Sequence, residues 1–160
     1  MQQKMSGHVE FVHRSWPADP AQLSAIRREL AGWLVPLSLT EEKAAGVVLA
    51  VDEAAANVVR HAYGDGKSGT VELTLWTEPG TLCIEVVDHG NWRTPKNDRT
   101  PKNDADDADE LKGGRGIGLM AALSDAVLIR YDRRGSRVLL RHRVPDGRRP
   151  KGHRRPKDTR

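Results

Sequence analysis

Cysteine occurs once in these 160 residues, so neither an internal disulfide framework nor a thiolate metal site can be built from it. That residue, Cys83, sits within the apolar run Leu82-Cys83-Ile84-Glu85-Val86-Val87 and reads as a buried core thiol. Apolar runs are short: none approaches the roughly 18 residues that a membrane-spanning helix needs. The N-terminus carries no apolar segment leading to a small-residue cleavage site, and the chain is expected to be cytoplasmic. Aromatic residues make up only 4% of the chain against 30% charged residues, a balance that borders on a disordered composition. Apolar residues nevertheless recur at regular intervals, which argues for a globular fold, and the length suits one domain.

The net charge of +4 raises the question of nucleic acid. The charge is unevenly placed, however. Residues 145–160 hold seven Lys/Arg against two Asp, a local +5, which leaves residues 1–144 at −1. The basicity thus belongs to a Pro/Gly-rich tail expected to be disordered, and direct nucleic-acid binding is not expected of the domain.

Along the chain, His8–Arg14 is a candidate first edge strand. Asp19-Pro20 supplies an N-cap and a proline at the first helical position, and Leu23, Ile26, Leu30, Trp33 and Leu34 follow at helical spacing up to Pro36. Thr40-Glu41-Glu42-Lys43 opens a second helix, expected to run to about His61. Thr70–Trp76 and Leu82–Val87 read as strands joined at Glu78-Pro79-Gly80. From Trp92 to Lys112 no periodicity exists; the stretch repeats Thr-Pro-Lys-Asn-Asp at 94–98 and 100–104 and then turns acidic. A structureless loop of this length inside a domain is usually functional or disordered. A helix over Gly116–Ser124 and a hairpin of Ala126–Tyr131 with Arg137–Val144 complete the order. The order β-α-α-β-β-loop-α-β-β predicts an α+β two-layer sandwich, a mixed and mostly antiparallel sheet with helices on one face.

The second helix has an unusual polar face. With Glu53 set at zero, Asn57 falls near about 40° and His61 near about 80°, with Gly46 and Ala50 between about 20° and 60°. Ala44, Val47, Val48, Val51, Ala55, Val58 and Val59 gather on the far side as a core face. An exposed face would ordinarily carry Lys, Glu and Gln, and a mid-helix glycine costs about 1 kcal/mol against alanine. Gly46 therefore asks for something that approaches closely. A carboxylate and an amide beside small residues can line a ligand site, with Asn57 suited to a hard cation and Glu53 to accepting a proton. Taken alone, the pair is as well explained by a solvated helix face.

Asp88-His89-Gly90 closes an apolar strand: a carboxylate there can accept from an exocyclic amine, and Gly90 admits a flat ring, although a capped turn explains the same residues. Gly113-Gly114-Arg115-Gly116-Ile117-Gly118 opens a helix, where backbone N–H groups and a guanidinium make an anion cradle. No Gly-Lys-Ser/Thr follows, so the run is not a Walker A loop, and no strand precedes it as a Rossmann fingerprint requires.

In this order, the three segments resemble the GHKL (Bergerat-fold) ATPases, the superfamily that includes gyrase B, Hsp90, MutL and histidine-kinase catalytic domains. Glu53-Ala-Ala-Ala-Asn57 resembles the N box, Asp88-His-Gly90 the G1 box and Gly114-Arg-Gly-Ile-Gly118 the G2 box, with residues 92–112 in the place of the ATP lid. The likeness covers roughly residues 8–144 of a domain taken as 1–144, and is nearest the anti-sigma-factor serine kinases of the RsbW type, through Asn57-Val-Val-Arg-His61-Ala-Tyr63, Asp88-His-Gly-Asn-Trp92 and Gly116-Ile-Gly-Leu-Met120. The resemblance implies ATP and Mg²⁺ as cofactors, Glu53 as the catalytic base and Asn57 as the metal ligand. It further implies nucleotide contacts from Asn57, His61, Asp88, Gly90, Gly114, Arg115, Gly116, Ile117, Gly118 and Leu119. The implied partners are an anti-anti-sigma factor of the STAS type, phosphorylated on serine, and a sigma factor held inactive, with a homodimer as the expected assembly. In the fuller G1 pattern a second glycine stands where this chain has Trp92. Two alternatives stay open: a non-catalytic ATP-binding module, and the catalytic domain of a histidine-kinase-type phosphorelay.

Overall fold

A computed structural model of the chain describes residues 11–64, 68–92 and 115–145. The candidate lid from 93 onward, Gly114 and the basic tail beyond 145 lie outside the described residues. Strand β1 (Val12–Pro17) leads through a 3-10 turn at Pro20–Gln22 into α1 (Leu23–Leu34). The start signal works as written: the Asp19 side chain accepts the Ala21 N–H at 2.8 Å, with proline next in line. Helix α2 (Glu41–Asn57) is capped by Thr40, whose hydroxyl accepts the Lys43 N–H at 3.1 Å, and it continues as a π-helical turn over Val58–Ala62. Strands β2 (Thr70–Glu78) and β3 (Thr81–Asp88) form a hairpin. Helix α3 (Arg115–Leu123) and the hairpin β4 (Ala126–Asp132)–β5 (Gly135–Arg143) follow.

The five strands stand in the order β1-β2-β3-β5-β4. All four pairings are antiparallel, so the parallel component of a mixed sheet is absent among the described strands. The short turns at Pro79-Gly80 and Arg134-Gly135 can join only antiparallel neighbours, which accounts for β2–β3 and β4–β5; β1–β2 and β3–β5 pair antiparallel across longer connections. Strand β1 runs on to Pro17, past the Arg14 at which the sequence pattern ends it, and residues 8–10 lie outside the described part. Its anchor is Trp16, buried and packed on Trp33 of α1 at a centroid distance of 6.1 Å, a contact that strand alternation alone does not reveal.

The helices cover one face of the sheet, as expected of the sandwich. Leu73, Leu75, Leu82, Ile84, Val86, Val138 and Leu140 point into the layer between, where they meet Ile26, Leu30, Val47, Val51, Ala54, Ala55 and Val58. Alternation along β3 and β5 also turns three polar residues toward this layer: Asp88, Ser136 and His142 are all buried. Register pairs Asp88 with Ser136 at one end of the β3–β5 ladder and Leu82 with His142 toward the other. The first of these ends faces the C-terminal part of α2.

Candidate functional site

Helix α2 presents Glu53 and Asn57 on one side, as the helical projection requires, but the face is shorter than that projection suggests. Ala50 is fully buried, and the space beside Gly46 is taken by the Leu123 side chain of α3, 3.6 Å from where a Cβ would stand. The neighbour that the glycine admits there is therefore a helix. What remains open is the stretch from Glu53 to His61, about two turns. The π-helical turn that ends α2 carries His61 outward, and such turns recur at functional sites.

Helix α3 brings the glycine run to this face. A Cβ on Gly116 would lie 3.2 Å from Glu53 Oε2 and 3.4 Å from Asn57 Nδ2, so the backbone of the α3 N-terminal turn rests directly on the two polar side chains. Any larger residue would push them away. Ile117 packs against the core, Leu119 is half-buried, and Gly118 faces outward with nothing near its Cβ position. Arg115 opens the helix; its side chain lies outside the described residues, as does Gly114. Arg60, which the sequence pattern assigned no role, also reaches this cluster. Its guanidinium donates to Asn57 Oδ1 at 3.4 Å and lies 3.9 Å from Glu53 Oε2, while Nε donates to the Ala56 carbonyl at 3.2 Å.

The second cluster forms at the end of β3. Asp88 is 2% exposed. Its carboxylate accepts the backbone N–H groups of Gly90 at 3.0 Å and Ser136 at 3.3 Å, the Ser136 hydroxyl, and the indole N–H of Trp92 at 2.9 and 3.1 Å. Gly90 is required by its neighbour, because any side chain would run into the Ala62 carbonyl. Tyr63 straps the loop from below: its hydroxyl donates to the Thr70 carbonyl at 2.6 Å and accepts the His89 N–H at 3.1 Å. An aromatic chain joins the two clusters, with His61 and Trp92 at 6.2 Å and Trp92 and Tyr131 at 6.3 Å between centroids. Beside Asp88 and the β4–β5 turn lies an open cavity of about 580 Å³, bordered among others by Tyr131, Arg134 and Ser136.

The candidate residues thus fall into two groups on one side of the molecule: Glu53, Asn57 and Gly116 in one, Asp88 and Gly90 in the other, with His61 between. Ser136 and Arg60 were missed. Ser136 did leave a signal, since it is a polar residue at a core-facing position of an otherwise apolar alternation with Val138 and Leu140. No group of three or more His, Cys, Asp and Glu able to hold a metal occurs among the described residues. That does not count against Mg²⁺, which takes one or two protein ligands and keeps the rest of its shell for water and phosphate. The amide oxygen of Asn57 is a hard donor of the kind Mg²⁺ takes; here it accepts from the Arg60 guanidinium.

The sequence profile described as the histidine kinase-like ATPase domain matches residues 16–142. The serine-protein kinase RsbW of Bacillus pumilus is 31% identical over 129 residues, covering 77% of this chain and 80% of the relative. RsbW of Bacillus velezensis is 29% identical, covering 78% and 81% respectively. Among solved structures, the RsbU and RsbW domains of a Mycobacterium tuberculosis protein superpose with a TM-score of 0.63 at 21% identity. That match covers 85% of this chain and 33% of the other, and it speaks to the shared fold.

Proposed function

The chain belongs to the histidine kinase-like (GHKL) ATPase domain family, and from that premise we propose that it is a cytoplasmic, ATP-dependent serine kinase and anti-sigma factor. Its substrate is a serine of an anti-anti-sigma partner of the STAS type, and its second partner is a sigma factor held inactive; the working unit is a homodimer. The observation that carries this reading is the convergence at Gly116. A carboxylate, an amide and the backbone of a helix N-terminus meet there within about one side chain's width. The relatives named serine-protein kinase RsbW support the reaction class.

In this reading Asp88 accepts the exocyclic amine of adenine, and Gly90 keeps the loop close enough to Ala62 for the base to enter. The N–H groups at the start of α3 hold phosphate oxygens, and Arg60 faces the same charge. Asn57 holds Mg²⁺, which neutralises negative charge on the phosphates. Glu53 takes the proton from the serine hydroxyl as its oxygen bonds to the γ-phosphorus and the bond to the ADP oxygen breaks. Positioning and charge supply most of the catalysis, since phosphoryl transfer asks little covalent chemistry of the protein.

The test is incubation with Mg·ATP and candidate partners, followed by mass spectrometry for phosphoserine. Glu53→Ala is expected to retain ATP while transfer falls by about 10²–10⁴-fold, the usual contribution of a general base. Equal transfer by the variant would remove Glu53 from the role. ATP binding with no phosphoserine on any partner would leave a nucleotide-dependent binding module instead.

A further inference from the structure

The Asp88 carboxylate is saturated from within the chain. A carboxylate offers about four acceptor sites, and four donors meet this one: two backbone N–H groups, the Ser136 hydroxyl and the Trp92 indole. Three of them are fixed, because they belong to the Gly90 turn and to strand β5 in the sheet. The fourth is a side chain on a loop. Trp92 is partly buried against the core, and its N–H spans both oxygens, at 2.9 and 3.1 Å. Its ring contacts both His61 and Tyr131, tilted 47° and 45° to them.

An indole is a flat, fused bicyclic ring with an N–H at its edge, and in that respect it matches a purine in size and donor character. Here it uses both features on which a nucleobase would draw: a donor into a buried carboxylate, and two aromatic neighbours. The geometry points to Trp92 as a built-in occupant of the nucleobase position, which a nucleotide displaces on entry. The inference rests on the assignment of Asp88 to adenine proposed above. It adds a regulated step to that site, because the apparent affinity equals the intrinsic affinity reduced by the fraction of molecules in which Trp92 has swung out. It also couples the two clusters. The ring that leaves Asp88 gives up its contact with His61, on the same helical run as Glu53 and Asn57.

Trp92→Phe keeps a ring against His61 and Tyr131 and removes the donor. Isothermal titration is expected to show Mg·ATP binding about tenfold more tightly to this variant than to the native chain, the order expected when a competing hydrogen bond to a charged group is lost. Equal or weaker binding by Trp92→Phe, with the native chain binding, overturns displacement and leaves the adenine assignment standing. The Trp92 indole N–H, identified in a ¹⁵N spectrum by its loss in the variant, supplies a readout that needs no nucleotide. It should exchange slowly with solvent, shift in Asp88→Asn, and move on addition of Mg·ATP while the other three tryptophan signals move less. A fast-exchanging indole indifferent to Asp88→Asn overturns the inference directly. If the indole bond is seen but neither protein binds Mg·ATP, the adenine assignment itself fails, and displacement fails with it.

Discussion

The two ends of the β3–β5 ladder bury polar groups in opposite ways. At the Asp88–Ser136 end, the carboxylate has every acceptor site filled. At the Leu82–His142 end, an imidazole just as deeply buried makes no hydrogen bond of good geometry on either nitrogen among the described residues, and neither does the Ser124 hydroxyl. The difference follows from what each group can give up. Burial pushes the His142 pKa down to about 4, with the Lys43 charge adding to it and the Asp125 carboxylate and Leu123 backbone pulling weakly the other way. A neutral imidazole can then fill core space as an apolar group does, at the cost of unmade hydrogen bonds. Asp88 instead keeps its donors, and a site that presents a well-held acceptor can recognise a donor. One end is therefore core with a polar atom in it; the other holds the proposed site.

Asp88→Ala should break the contrast with the largest effect. It orphans the buried N–H groups of Gly90 and Ser136 as well as the Ser136 hydroxyl, each worth about 1–3 kcal/mol, and should cost roughly 3–5 kcal/mol in urea denaturation. A loss below about 1 kcal/mol would mean that the carboxylate does not hold this end together. The acid side of the stability profile comes next. His142 is neutral in the fold, with its pKa at about 4 against 6.5 when unfolded. The unfolded chain therefore binds the extra proton first. Stability is fully present above pH 6.5 and declines as pH falls toward 4, by about 3 kcal/mol in total. His142→Leu should flatten that decline while changing stability at pH 7.5 by no more than about 1 kcal/mol, since an apolar group of similar volume replaces unpaired polar atoms. An unchanged acid slope in His142→Leu would assign the decline to other groups. Asp125 is not one of them: the Arg143 N–H and Lys43 hold its pKa below the usual carboxylate range, so its contribution is lost only at lower pH.

Much of this architecture was legible in the residues. The caps at Asp19 and Thr40, the turns at Pro79-Gly80 and Arg134-Gly135, and the carboxylate at the end of β3 all act locally, within a few positions of the feature they specify. The core face of α2 was legible for the same reason, because periodicity is a property of one helix. Its other face was not. Gly46 and Ala50 look open in projection, and only the packing of α3 across them shows that Leu123 and its helix take that space. Ser136 needed the β3–β5 register, which brings it to a residue 48 positions away. Trp92 was visible as a departure from the expected glycine; that its indole turns back onto Asp88, in contact with His61 and Tyr131, is a tertiary feature that the local pattern does not carry.

The central claim is that the saturated end is the nucleobase end of an ATP site, and titration with Mg·ATP tests it most directly. Because Trp92 and adenine would share the carboxylate, the comparison belongs in the Trp92→Phe background, with and without Asp88→Asn. Loss of a hydrogen bond to a charged acceptor, about 1.5–3 kcal/mol, predicts roughly 10- to 150-fold weaker binding in the doubly substituted chain. Equal affinities in the two chains would contradict the assignment of Asp88 to the base.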